Sequence, residues 1–190
     1  MINPGDTLFN HVTGEELTFF ETAASTRGEY VEFMSTVRPG GFAATELAHP
    51  AQFKTFAVFE GLLDLRVDGD EMRVEEGQST AVPAGMPHRY WNDGAKPVVF
   101  RCTVRPALRF ESLIETMFML AVEGRTNRRG MPNPVRMAAI LHSHRDVIRL
   151  TGTPAWVQDI GTLAAMPLAA VCGYTAPRER SCTSGPILAS

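Results

Sequence analysis

Between about Gly5 and Val104 the apolar residues come in short runs separated by turn-forming clusters. YVEFMSTV (30–37), FKTFAVF (53–59), LLDLRV (62–67), STAVP (79–83) and VVFRCTV (98–104) are rich in β-branched and aromatic residues. Glycine, proline, asparagine and aspartate punctuate the intervals, so the pattern predicts strands. Asp68-Gly69, between LLDLRV and EMRV, predicts a tight hairpin, because both positions of such a turn need positive φ. Many short strands at regular spacing predict a barrel or sandwich, not alternating β-α units.

After Pro106 the period changes. ALRFESLIETMFMLAVEG (107–124) places Leu108, Leu113, Met117, Leu120 and Ala121 near one helical face, with Gly124 as C-cap. A polar link (125–134) leads to VRMAAILHSHRDVIRL (135–150), read as a second helix, and 155–174 reads as a third. The third has about the length of a membrane span, but Gln158, Asp159 and Pro167 interrupt it, so a buried or dimer-packing helix is expected. The tail has no periodicity. The expected organisation is a mainly β barrel over 5–105, a helical extension over 106–174 packing on the barrel or a dimer partner, and a flexible tail over 175–190.

Composition narrows the function classes. The 190 residues are 44% hydrophobic and 21% charged, enough for one sizeable core. A net charge of −3 and an isoelectric point near 6.0 offer no basic field to a phosphate backbone. The expected partners are a small molecule and a second copy of the chain, with no nucleic acid and no membrane span. Cys102, Cys172 and Cys182 are odd in number and far apart, which argues for reduced, mostly buried thiols. No apolar run follows a basic start, so no signal peptide is expected and the cytoplasm is the expected compartment.

Two spaced motifs carry the chemistry. In the first, Gly41 is followed by Leu47, His49, Lys54 and Gly61; in the second, Gly77, Pro83, Gly85, His88 and Asn92 lie within GQSTAVPAGMPHRYWN. Fifteen residues separate them. This spacing resembles the cupin family, whose motifs are G-x5-H-x-H-x3,4-E-x6-G and G-x5-P-x-G-x2-H-x3-N. The second motif is met in full. The resemblance implies a jelly-roll-type β-barrel with a C-terminal helical extension, and a metal held by three histidines and a glutamate at its centre. This chain departs from that set at two of four positions. Leu47 cannot coordinate, and the Lys54 ammonium would repel a cation. Strand alternation turns Glu46 away from positions 47 and 49, so a bulge would be needed for it to step in.

The altered centre has three readings. In the first, Lys54, His49 and His88 perform metal-free acid–base catalysis, an isomerisation or cyclisation of a small, largely apolar, enolisable molecule such as a polyketide-like metabolite. Leu47, Phe56, Val58 and Tyr90 then line the substrate pocket, and no cofactor is expected. Sugar-nucleotide epimerases of the cupin family, which use histidine and lysine without metal, are similar in chemistry. In the second reading the barrel binds a small molecule without catalysis. In the third, a divalent transition metal is held by His49 and His88 in a dioxygenase or isomerase with an unusual ligand set. Gln52, Arg89 and Trp91 read as rim or surface residues, and His142 and His144 as surface histidines.

Overall fold

A computed structural model describes residues 1–152 and 154–174 of the chain. The expected flexible tail, and Cys182 within it, lie outside the described residues. In chain order the elements are β1 (Thr7–Asn10), β2 (Glu15–Glu21), β3 (Val31–Val37), β4 (Leu47–Ala48), β5 (Phe53–Glu60), β6 (Leu62–Val67), β7 (Asp70–Glu75), β8 (Ser79–Val82), β9 (His88–Trp91), β10 (Val98–Arg105), α1 (Phe110–Val122), α2 (Pro134–Ser143), β11 (Arg149–Leu150) and α3 (Ala155–Val171).

The strands form two antiparallel sheets, ordered β1-β2-β3-β10-β5-β8 and β11-β4-β9-β6-β7. Each long strand alternates, so one side faces the interior. β3 buries Val31, Phe33, Ser35 and Val37; β10 buries Val98, Phe100, Cys102 and Val104; β5 buries Lys54, Phe56 and Val58. Lys54 therefore points inward for the same reason as Phe56, two residues along one pleat. The β6–β7 hairpin turns at Asp68 and Gly69, with φ of 51° and 90°, the two positive values that a type I′ turn demands. Asn92, the last residue of the second motif, ties strand ends together: its amide nitrogen donates to the carbonyls of Val37 and Lys96, and its oxygen accepts from Gly94 N.

The helical region departs from expectation in three places. α1 begins at Phe110, and Leu108, expected on its buried face, lies before it with φ of 48° and 37% exposure. α2 ends at Ser143, seven residues short of the expected end. His144 caps it, with its backbone N–H donating to the Ile140 carbonyl, and the chain returns to the smaller sheet, where β11 pairs with β4. α3 is amphipathic but is not buried. Trp156, Ile160, Leu163 and Val171 are exposed, while Gln158 and Thr162 face the protein. Gln158 pairs through its side-chain amide with both backbone groups of Leu150, holding the edge of β11. Among the described residues no helix is long and apolar enough to cross a membrane. Cys102 is buried as expected, whereas Cys172 is exposed.

Candidate functional site

The two sheets and the extension enclose a largely apolar cavity of about 130 Å³. β5 supplies Lys54, β9 supplies His88 and Tyr90, and β2 supplies Glu15 to its wall; His49, one residue beyond β4, completes the polar group. The extension adds apolar lining: Phe110, Leu113, Ile114 and Met117 of α1, Met137 of α2, and Ile148 ahead of β11. The second sequence region thus builds part of the cavity wall.

Hydrogen bonds fix how the two imidazoles are presented. His49 Nδ1 lies 2.7 Å from the Val147 carbonyl oxygen and 3.1 Å from Gln52 Oε1. A carbonyl only accepts, so Nδ1 carries the proton and Nε2 is left as a bare lone pair. Gln52 cannot be turned over, because its Nε2 donates to the carbonyls of both Pro106 and Ala107 at 2.9 Å. His88 is arranged alike: Nδ1 donates to the Met86 carbonyl at 3.0 Å, again leaving Nε2 bare. The two rings stand 5.3 Å apart, centre to centre. Burial, then the Lys54 charge, holds His88 down at about 3; burial, Lys54 and His88 hold His49 well below its ordinary value. Both are neutral at pH 7.

Lys54 is 7% exposed and makes no hydrogen bond or ion pair among the described residues. Its Nζ lies 4.8 Å from the centre of the Phe110 ring, a cation–π contact. Burial lowers its pKa from 10.5 to about 8, with the Glu15 charge acting the other way. On the same cavity Glu15 is buried and accepts hydrogen bonds from Tyr90 Oη and, at 2.8 Å, from Ser35 Oγ. Burial pushes the Glu15 carboxyl up, and burial with the Glu15 charge pushes the Tyr90 hydroxyl well up, so Tyr90 keeps its proton. Burial also takes the Cys102 thiol to about 12, leaving it un-ionised.

The structure brings together Lys54, His49, His88, Leu47, Phe56 and Tyr90 on one cavity. Val58 is buried in the core and does not line it. Gln52, read as a rim residue, is 1% exposed and orients His49. Arg89 and Trp91 are half-buried and stack on each other, 5.3 Å from guanidinium to ring centre. His144, read as a surface residue, is 2% exposed and joins α2 to α1 by a 3.2 Å bond between Nε2 and Ser112 Oγ. Glu15 and Phe110 were missed. The signal for Glu15 was the inward alternation Glu15, Leu17, Phe19 at the head of β2; the position of Phe110 had no short-range signal.

The residues at the centre do not suit the divalent metal that cupin motifs imply. Only His49 and His88 of the four motif positions are donors, and Lys54 brings an ammonium to the same cavity, where its charge would repel a cation. Among the described residues no group of three or more His, Cys, Asp or Glu side chains is placed to hold a metal ion.

Residues 33–104 match the family model of the cupin domain. The match runs from β3 to β10 and identifies that part of the chain as a cupin domain, to which the two antiparallel sheets contribute. Over 63 residues the chain is 40% identical to the tetracenomycin polyketide synthase protein TcmJ of Streptomyces glaucescens, a match covering 32% of this chain and 42% of that protein. The match thus spans less than half the length of that relative. Among solved structures, a predicted oxalate decarboxylase from Thermotoga maritima is similar at 15% identity and a TM-score of 0.47, over 53% of this chain and 90% of that one. The cupin domain of an XRE family transcriptional regulator from Enterobacter cloacae is similar at 18% identity and a TM-score of 0.43, over 48% and 96%.

Proposed function

We propose that this cupin is a metal-independent enzyme that isomerises or cyclises a small, largely apolar, enolisable molecule. One observation carries the reading: two neutral imidazoles with bare Nε2 atoms share a cavity with a buried lysine that has no hydrogen-bonding or ionic partner among the described residues. Groups whose environments drive their proton affinities apart divide naturally into acid and base. At pH 7 the Lys54 ammonium is the proton donor and stabiliser of a developing enolate oxygen, and a histidine Nε2 accepts the proton from carbon. The two transfers reinforce each other. The Lys54 charge depresses both imidazoles, so as its proton moves to the substrate oxygen, the histidines become stronger bases. The apolar wall of α1 suits a hydrocarbon ring body. The polyketide synthase protein that this chain resembles over a third of its length supports a polyketide-like substrate.

The test is solvent deuterium uptake into a panel of cyclic 1,3-diketones and hydroxylated aryl ketones, using chelator-treated protein. The reading expects exchange at the α-carbon that is lost in His49→Ala and His88→Ala. Saturable binding of these compounds without exchange would favour a non-catalytic binding protein. A complementary design probes the register of the centre. Leu47→His combined with Lys54→Glu restores the cupin ligand set and is expected to create nickel or manganese binding detectable by calorimetry. No binding by the folded double variant would mean that positions 47, 49, 54 and 88 do not converge as described.

The same reading includes a homodimer of a cytoplasmic protein. It is supported by the exposed apolar face of α3, on which Trp156, Ile160 and Leu163 recur at helical spacing. Sedimentation equilibrium should give twice the 20.8 kDa chain mass. A monomer at micromolar concentration would contradict it.

A further inference from the structure

The chain contains only two lysines, Lys54 and Lys96, among 18 Lys and Arg residues. The other sixteen are arginines. Lys96 is exposed; Lys54 is buried on the cavity wall. An arginine at position 54 could stabilise an enolate oxygen by charge, but its guanidinium cannot lose its proton. What lysine adds is a nitrogen lone pair that can react. The Lys54 amine has the setting in which such reactivity arises: an apolar cavity, no hydrogen-bonding or ionic partner among the described residues, and two bare imidazole nitrogens nearby to move protons.

We propose that Lys54 is a carbonyl-reactive amine that forms an imine with ketone ligands in the barrel cavity. The inference rests on the reading of this cavity as the reaction site and deepens it, because it makes the substrate class a ketone bearing an α-hydrogen. Once Lys54 has lost its proton to solvent, the Nζ lone pair attacks the carbonyl carbon, forming the C–N bond as the C=O π pair moves to oxygen. A proton passes from nitrogen to that oxygen by way of an imidazole Nε2. The C–O bond then breaks, with one further proton from solvent through Nε2, releasing water and leaving an iminium. The iminium nitrogen draws electrons more strongly than a hydrogen bond from an ammonium. Removal of the α-proton by Nε2 of His49 or His88 then gives a neutral enamine, with no oxidant or reductant consumed.

The test uses the full chain and pentane-2,4-dione as probe, which traps a reactive amine as an ultraviolet-absorbing enaminone that hydroxylamine reverses. Peptide mass mapping then separates Lys54, Lys96 and the terminal amine. The expected result is selective modification of Lys54, by the probe mass less one water, at least tenfold faster than Lys96, with a rate that rises as pH passes through about 8. Lys54→Arg should fold and lose the adduct. Modification of Lys96 alone, or of both at equal rates, would overturn the proposal. Lys54 labelling in a protein that catalyses no proton exchange would leave this inference standing and remove the acid–base function; exchange without labelling would do the reverse.

Discussion

Lys54→Met is expected to fold, to unfold at a higher temperature than the wild type, and to have lost turnover by about 10²–10⁴-fold, the range typical of removing a general acid or base. The stability gain follows from linkage. The folded pKa of Lys54 is about 8 against 10.5 for an unperturbed lysine. Between those values the unfolded chain binds a proton that the folded chain does not, so folding becomes more favourable as pH rises through that window. Below pH 8 the full penalty of holding an ammonium in the cavity applies. At 1.36 kcal/mol per unit it amounts to about 3 kcal/mol. Methionine fills similar space without charge. The variant should therefore be more stable at pH 7 by up to this amount, and the advantage should shrink between pH 8 and 10.5. Urea unfolding at pH 7 and pH 10 measures both. A variant less stable than wild type at pH 7 would show that the lysine serves the fold and would sink its role in chemistry.

Phe110→Ala has the second large effect. The ring is 2% exposed, lies 5.9 Å from Phe33 and 5.8 Å from His49 between centres, and covers Lys54. Truncating a buried phenylalanine costs about 3–5 kcal/mol, part of it for the space left behind. Here that space joins the cavity. Water entering it should relieve the desolvation that depresses Lys54 and return the amine toward its ordinary value. Chemical unfolding reads the stability loss, and the pH dependence of amine labelling reads the second effect. A loss under 1 kcal/mol with an unchanged labelling profile would mean that the extension merely leans on the barrel. Activity of the isolated barrel is not expected, because α1 and the Val147 carbonyl form part of its centre.

Much of the barrel was legible because its strands bury one face. FKTFAVF, LLDLRV and VVFRCTV correspond to β5, β6 and β10 almost residue for residue. The second motif placed His88 and Asn92 by spacing alone. Less legible were contacts that depend on distant chain segments. HRDVIRL has helix-compatible apolar spacing and no glycine or proline to end it. What ends α2 is the His144 ring, with Nδ1 3.1 Å from the Ile140 carbonyl and Nε2 on Ser112. β11 has two residues and exists because β4 offers an edge. The same return places Val147 against His49, so the tautomer of a residue in the first motif is set 98 residues away. Glu15 could be seen as inward-facing from alternation, but its pairing with Tyr90 joins two sheets and has no local trace.

The central claim is that a lysine and two histidines have replaced the metal in this cupin barrel. Elemental analysis of tag-free protein, expressed in metal-supplemented medium and dialysed against a weak chelator, tests it most directly. The account predicts a folded protein with far less than one equivalent of iron, manganese, nickel, copper or zinc per chain. Near-stoichiometric content of any of these would contradict it and return the chain to metal-dependent oxygenase or isomerase chemistry.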